Sequence, residues 1–412
     1  MSFDEFNLHP QLLKAIQEAG YSEPTEIQKK AIPQILEGGD IRASAQTGTG
    51  KTAAFLLPAL NRLANADKVR VRGPRVLVLA PTRELAMQIA VQSEKYSKHL
   101  KSIRTICIGG GVPYFKHQKM LSRPYDVLIA TPGRLLDYMK RKKIDLSHVE
   151  LVVLDEADRM LDMGFVEPVE EIMGATPDER QTLLFTATMQ ESVARLSRRL
   201  LKNPTDIAIK AEKDSHTNIT QQLLFADDLH HKNRLLNHIL TQDDVEYTII
   251  FTSTKRHADQ LVNELCDQGH RAAALHGDMD QRRRTRTIAQ LREGKVKVLV
   301  ATDVAARGID VQSITHVINF DLPNNVEDYV HRIGRTGRAG AKGTALSFVG
   351  GRDREMAKRI ERFTGQQIAV VEIAGLKPRW TERPSGGPKR RMANKKKPFQ
   401  RSRRNKPGYA KI

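Results

Sequence analysis

Two successive series of short apolar runs, each run followed by a segment of helical period, constrain this chain more than any other feature. In the first series VLVLA (76–80) precedes PTRELAMQIAVQ, DVLIA (126–130) precedes TPGRLLDYM, and LVVL (151–154) precedes DEADRML. The pattern then restarts, with TIIF (248–251) before KRHADQLVNELC, AAALH (272–276) before QRRRTRTIAQL, and KVLVA (297–301) leading through a turn to HVINF (316–320). Unbroken apolar runs rich in β-branched residues are strands buried on both faces, and strands separated by helices pair in parallel. The fold class is therefore α/β, with two parallel sheets covered by helices. Between the two series AEKDSHTNITQ (211–221) is polar and poor in large apolar residues, as a connection between domains should be. This sets domains at 1–209 and 219–375, joined over 210–218.

The chain carries a formal charge of +19, and its position matters more than its size. From Leu376 to the end there are 14 Lys or Arg against the single Glu382, which leaves only +6 for the first 375 residues. That last stretch, 376–412, is rich in Pro, Gly and cations and cannot bury enough apolar surface to offset its ordering entropy, so it reads as a disordered basic tail suited to a polyanion. The two cysteines, Cys107 and Cys266, form no CxxC or Cys/His spacing, which fits a reducing compartment. The N-terminal MSFDEFNLHP lacks a basic stretch followed by an apolar one, and no apolar run approaches the roughly 20 residues of a membrane span, so a soluble cytoplasmic protein is expected. No heptad pattern argues for a coiled coil, and a monomer is expected.

AQTGTGKT (45–52) ends in the Gly-Lys-Thr of a phosphate-binding loop, with a short strand candidate around Ile41 before it and the apolar helix AAFLLPALNRLA after it. The loop Gly48-Thr49-Gly50 lets backbone N–H groups close around phosphate oxygens, Lys51 reaches the terminal phosphates, and the Thr52 hydroxyl can ligate Mg²⁺. The general pattern begins with Gly, and Ala45 stands in that place. In LVVLDEAD (151–158) two carboxylates follow a buried strand, at the sheet edge where ligands of α/β proteins gather. Asp155 there can hold Mg²⁺ through water, and Glu156 can orient or deprotonate an attacking water.

With these residues in place the chain resembles the DEAD-box RNA helicases, whose name quotes Asp155-Glu156-Ala157-Asp158. The resemblance runs over about residues 3–350 and includes Phe3 with GYSEPTEIQ (20–28), PTRELA (81–86), GG (110–111), TPGR (131–134), TAT (186–188), IIFTST (249–254), HGDMDQRRR (276–284), ATDVAARGID (301–310) and HRIGRTGR (331–338). It implies two RecA-like domains, a P-loop NTPase of helicase superfamily 2, that clamp ATP with Mg²⁺ between them and RNA across both. By the same resemblance Gln28 bonds the adenine edge, Phe3 packs on the ring, and Asp310 bonds the ribose. Arg335 and Arg338 are the arginine fingers, suited to a transition state whose charge spreads over phosphoryl oxygens. Asp158, Thr186, Thr188 and His331 couple the domains; Thr186 stands where the family usually has Ser. A short basic tail points weakly to the RhlE-like bacterial branch.

For RNA the resemblance implies Arg83, Gly110, Thr131, Gly133 and Arg134 in the first domain and Arg284, Thr302 and Gly308 in the second, contacting phosphates and sugars rather than bases. The leading expectation is an RNA-stimulated ATPase that unwinds short duplexes or remodels RNA–protein complexes by closing on RNA. The second is an ATP-switched clamp on single-stranded RNA with little unwinding. A DNA-directed motor is disfavoured by the family match.

Overall fold

A computed structural model of the chain describes residues 2–45, 48–66, 73–110, 114–209, 218–306, 314–337 and 341–379. Asp310, Gly308, Arg338, nearly all of the expected connection and the tail beyond Arg379 lie outside the described residues. The architecture is two RecA-like α/β domains, each built on a parallel seven-stranded sheet.

The first sheet comprises β1 (Ile41–Ser44), β2 (Val76–Leu79), β3 (Thr105–Ile108), β4 (Val127–Ala130), β5 (Leu151–Leu154), β6 (Gln181–Thr186) and β7 (Thr205–Ala208), in the order β3-β4-β2-β5-β6-β1-β7. The second comprises β8 (Ile219–Phe225), β9 (Thr248–Phe251), β10 (Ala272–Leu275), β11 (Val298–Ala301), β12 (His316–Asn319), β13 (Gly343–Val349) and β14 (Ala369–Val370), in the order β10-β11-β9-β12-β13-β8-β14. Renumbered within each half, the two orders are the same permutation. β2, β4, β5 and β11 are buried at every residue, as their unbroken apolar composition requires, and β9 and β12 are buried throughout as well although they carry Thr248, His316 and Asn319.

Alternation along each strand divides the cores. Val76 and Val78 of β2 with Leu151 and Val153 of β5 pack on one face of the first sheet, and Leu77, Leu79, Val152 and Leu154 on the other. In the second sheet Ile250 faces one core while Ile249 and Phe251 face the other. The carboxyl ends of β5, β6 and β1 are adjacent, which brings the segment after each strand to one edge.

The boundaries differ slightly from the sequence expectation. Asn218, expected in the connection, already accepts the Gly343 N–H at 2.8 Å beside β8. Leu376, expected to open the tail, packs against the second-domain core; its carbonyl accepts from His231 Nε2 at 2.9 Å, and the Arg379 N–H bonds Asp227 at 3.0 Å. One apolar side chain with somewhere to bury outweighs the polar composition around it.

Candidate nucleotide site and interdomain cleft

The phosphate loop follows β1, and the Ala45 N–H extends the ladder to Thr186 O at 3.0 Å. Gly48 and Gly50 have φ of 88° and 91°, in the left-handed region that favours glycine. Gly50 is needed twice over, because a Cβ there would lie 2.5 Å from Gln28 Nε2 and 3.0 Å from Thr25 Oγ1. The helix Lys51–Asn65 then begins with Lys51 buried and its Nζ donating to Ala45 O at 2.8 Å. Ala45 explains its own departure from the glycine pattern: its methyl is buried in the first-domain core, so nothing requires a bare backbone there.

Gln28 is buried, and its amide is used from both ends. Oε1 accepts the Thr25 N–H at 3.0 Å and Nε2 donates to Gly50 O at 3.1 Å, so the side chain ties the start of its own helix to the phosphate loop. Phe3, expected against the adenine ring, is buried edge-on against Phe6, with ring centroids 6.0 Å apart, in the first-domain core. Tyr21 and Tyr96, with ring centroids 6.1 Å apart, line the cavity together with Gln28. The four-residue helix Phe3–Phe6 turns the Phe3 ring inward, where it is buried with Phe6.

Asp155 follows β5, its N–H bonded to Leu79 O at 3.0 Å. Burial pushes its carboxyl up to about 7; Lys51 pulls it down and Glu156 pushes it further up. A carboxyl raised on folding lowers stability as pH climbs from its unfolded value towards 7, and the penalty is complete above that. Asp155→Asn is therefore expected to unfold at a higher temperature than the wild type at pH 8 without Mg²⁺ or nucleotide, with the gap narrowing towards pH 5 in calorimetric scans. Glu156 has φ 52° and ψ 53°, a left-handed conformation unusual for a non-glycine, and it is buried.

Asp158 is the hub of the coupling group. Its Oδ2 accepts from the N–H groups of Ala187 and Thr188 at 3.1 and 2.9 Å and from the Thr188 hydroxyl at 3.0 Å. Burial alone would raise its carboxyl, but His331, Lys51 and the Thr188 N–H more than offset it and hold it below the usual range. The Thr186 hydroxyl donates to Thr188 O at 2.7 Å, a bond that needs only a hydroxyl and so tolerates Thr in place of Ser.

A cavity of about 880 Å³ is lined by Gln28, Lys51, Thr52, Asp155 and Glu156 of the first domain and by Arg335 of the second. Arg335 is buried, with Nε donating to His331 O at 3.2 Å. Arg284, expected to contact RNA, here has its Nε donating to Glu84 of the first domain at 2.7 Å and its Nη2 to Ala305 O at 2.6 Å, while Gln281 Nε2 donates to the same Glu84 oxygen at 3.1 Å. Burial would raise the Glu84 carboxyl, but Arg284 and Gln281 hold it lowered. A guanidinium that meets a desolvated carboxylate satisfies it before any more distant phosphate. Glu84 lies inside PTRELA, yet a partner 200 residues away leaves no trace in sequence spacing.

The first-domain RNA candidates gather past the ends of β3 and β4. Arg134 Nε donates to Gly109 O at 3.3 Å, and a Cβ on Gly109 would meet Arg83 Cγ at 2.8 Å. Gly110 and Gly133 are exposed, and Thr131 is buried at the start of the helix Pro132–Lys140. The guanidinium carbons of Arg134 and Arg141 each lie 4.5 Å from the centre of the Tyr114 ring, a stack absent from the sequence expectation. Burial and the charges of Arg134 and Arg83 push His117 down to about 4, so it stays neutral beside them. Thr302 follows β11 in the second domain, with its N–H on Leu275 O at 3.2 Å.

The donors present fit a magnesium nucleotide. Lys51 offers a buried cation, Gly50 leaves room for backbone approach, and Asp155 is a desolvated carboxylate held near Thr52 on one wall. Among the described residues no three His, Cys, Asp or Glu side chains converge to hold a metal, so phosphate oxygens have to complete a Mg²⁺ site.

The family described as DEAD/DEAH box helicase matches residues 25–196, and that described as helicase conserved C-terminal domain matches 231–340. The ATP-dependent RNA helicase SrmB of Haemophilus influenzae is 44% identical over 396 residues, 96% of this chain and 90% of that protein. Among solved structures, S. cerevisiae Dbp5 bound to RNA and ADP BeF3 has a TM-score of 0.81 at 33% identity, covering 90% of this chain and 95% of that one. The same yeast protein bound to Nup159, Gle1, IP6 and ADP scores 0.62 at 31% identity, covering 88% and 95%.

Proposed function

The chain belongs to the DEAD/DEAH box helicase family and is an ATP-dependent RNA helicase with RNA-stimulated ATPase activity, and from that premise we propose how its own residues divide the work. One observation carries the reading: Lys51, Asp155 and Glu156 of the first domain and Arg335 of the second converge on a single cavity. Gly48, Thr49 and Gly50 present backbone N–H groups to the nucleotide phosphates, and Lys51 exchanges Ala45 O for the terminal phosphates. Thr52 and Asp155 hold Mg²⁺, which supplies neutralising charge when bound. Glu156 orients the attacking water and accepts its proton, and Arg335 with Arg338 brings delocalised charge to the phosphoryl group. Gln28 and Tyr21 enclose the adenine, with Phe3 supporting from the core and Asp310 on the ribose.

RNA lies across Arg83, Gly110, Thr131, Gly133 and Arg134 in the first domain and Thr302 and Gly308 in the second. Arg284 serves instead as a clasp between the domains, through Glu84. The higher similarity to the RNA- and ADP BeF3-bound neighbour supports placing that clasp in the closed arrangement. Asp158, Thr186, Thr188 and His331 tie the two halves, so that closure both completes the nucleotide site and bends the bound strand. We place the protein in the cytoplasm as a monomer, with both cysteines free; its short basic tail is the only support for an RhlE-like branch.

Strand displacement on a short RNA duplex, run beside RNA retention with a non-hydrolysable ATP analogue, tests the reading. ATP-dependent displacement is expected; strong retention without displacement would transfer the protein to the clamp reading. Removing residues 380–412, rather than 376–412, spares the contacts of Leu376 and Arg379 and is expected to leave basal ATPase near wild type. It is expected to weaken RNA binding and flatten its log–log salt dependence by roughly 3, if a third of the tail cations each contribute about 0.7. Parallel salt titrations of equal affinity would make the tail a spectator.

A further inference from the structure

Arg159 follows the four residues of the carboxylate motif and has no part in the chemistry described so far. It is 1% exposed, the largest of the fully buried side chains. None of its three guanidinium nitrogens has a hydrogen-bond partner among the described residues. Its ion-pair partner among the described residues is Glu156 Oε2, 3.4 Å from Nε, and that oxygen also has no hydrogen-bond partner there, while Asp158 is near enough for the guanidinium charge to hold its carboxyl lower. Buried polar groups are nearly always satisfied, so an arginine left this way calls for a reason.

The second domain supplies one. Arg159 borders a small void at the domain junction whose far wall is Phe251, Asp303, Ala306, Asp328, His331, Arg332 and Arg335. Of the two carboxylates on that wall, Asp303 is taken by Arg332 through two bonds of 2.6 and 2.7 Å and Asp328 accepts from Asn325 Nδ2 at 2.9 Å, so Glu156, 3.4 Å from Arg159, keeps the pairing. Phe251 and Ala306 are apolar and close the void on the second-domain side. The dryness of the Arg159–Glu156 pair thus depends on the second domain being seated. A charge pair gains strength as water leaves it. The Glu156 backbone is already fixed in its left-handed conformation, so what is left to set is the direction of its carboxylate.

We propose that Arg159 is a positioning residue for hydrolysis: closure of the second domain desolvates its guanidinium, which then fixes the Glu156 carboxylate, so that the water-orienting group is set only in the closed state. This rests on Glu156 being that group.

The test uses the full chain as wild type, Arg159→Met, Arg159→Lys, Glu156→Gln and the double variant Glu156→Gln/Arg159→Met. RNA-stimulated kcat, KM for ATP, RNA retention with a non-hydrolysable analogue, and thermal unfolding are measured for each. Arg159→Met is expected to lower kcat about 10- to 100-fold, the range of a catalytic group slightly misplaced, with KM and retention close to wild type. Arg159→Lys should recover part of the loss. If Arg159 acts through Glu156, the double variant turns over no more slowly than Glu156→Gln alone. The proposal is overturned by wild-type kcat in Arg159→Met, by a further loss of the same factor in the double variant, or by a loss of retention that accounts for the fall in kcat. Should Arg159→Met melt below the assay temperature, Arg159→Lys is read alone, and wild-type kcat there overturns it. Wild-type turnover in Glu156→Gln removes the premise itself, whereas an inactive Glu156→Gln beside an active Arg159→Met rejects only the role of Arg159.

Discussion

Glu156→Gln is expected to bind ATP and RNA as the wild type does while steady-state turnover falls by about 10²- to 10⁴-fold, the range for loss of a positioned general base. The separation follows from where the groups sit. Nucleotide affinity comes from the loop Gly48–Gly50, Lys51 and the wall carrying Gln28 and Tyr21, none of which depends on a carboxylate at 156. RNA candidates lie beyond the ends of β3 and β4, around Gly109. Gln keeps the volume and one acceptor oxygen in a buried position, so neither a cavity nor a clash arises. It loses the negative charge that draws a proton from water. Nucleotide binding and hydrolysis measured on one preparation decide the matter, and hydrolysis at the wild-type rate would sink the assignment.

Arg335→Ala is expected to remove RNA-stimulated hydrolysis by about 10³-fold or more, as loss of an arginine finger does, while RNA binding without nucleotide stays near wild type. Arg335 reaches the cavity from the second domain, where the bond from its Nε to His331 O holds it in place before any phosphate is present. A group held in advance needs little rearrangement as charge develops, which is why its removal is felt in turnover more than in affinity. Arg335→Lys should not restore the rate, because a point charge cannot reproduce the planar fork. Single-turnover rates at saturating ATP and RNA test both variants; an unchanged rate in Arg335→Ala would take the residue out of the site.

The two sheets were legible in the sequence because their central strands are buried on both faces, so that Val76–Leu79 or Val298–Ala301 is apolar at every position. The strands at the β7 and β14 edges were not. In Thr205–Ala208 only Ile207 is buried, and Ala369–Val370 is exposed throughout, so composition there reads as loop. The phosphate loop was legible because its chemistry is local: glycine, lysine and hydroxyl within five residues, after a strand and before a helix. The place of Tyr21 on the cavity and the bond from Arg284 to Glu84 were hidden, since each depends on tertiary packing that brings distant segments together. Arg159 was hidden for a similar reason: as one residue on from a motif it looks like a solvated helix side chain, and only the packing of both domains makes it dry.

The repeated strand order has a consequence for how the protein is made. Each half closes its own cores from its own strands, so the first can fold on the ribosome while the second is still being synthesised. That first half already contains the loop, Lys51, Asp155 and Glu156, but not Arg335. With the roles proposed above, a nascent chain released from the exit tunnel as far as β7 would be a nucleotide holder without a trigger, and the expected result is that hydrolysis waits until translation has delivered the second copy of the same topology.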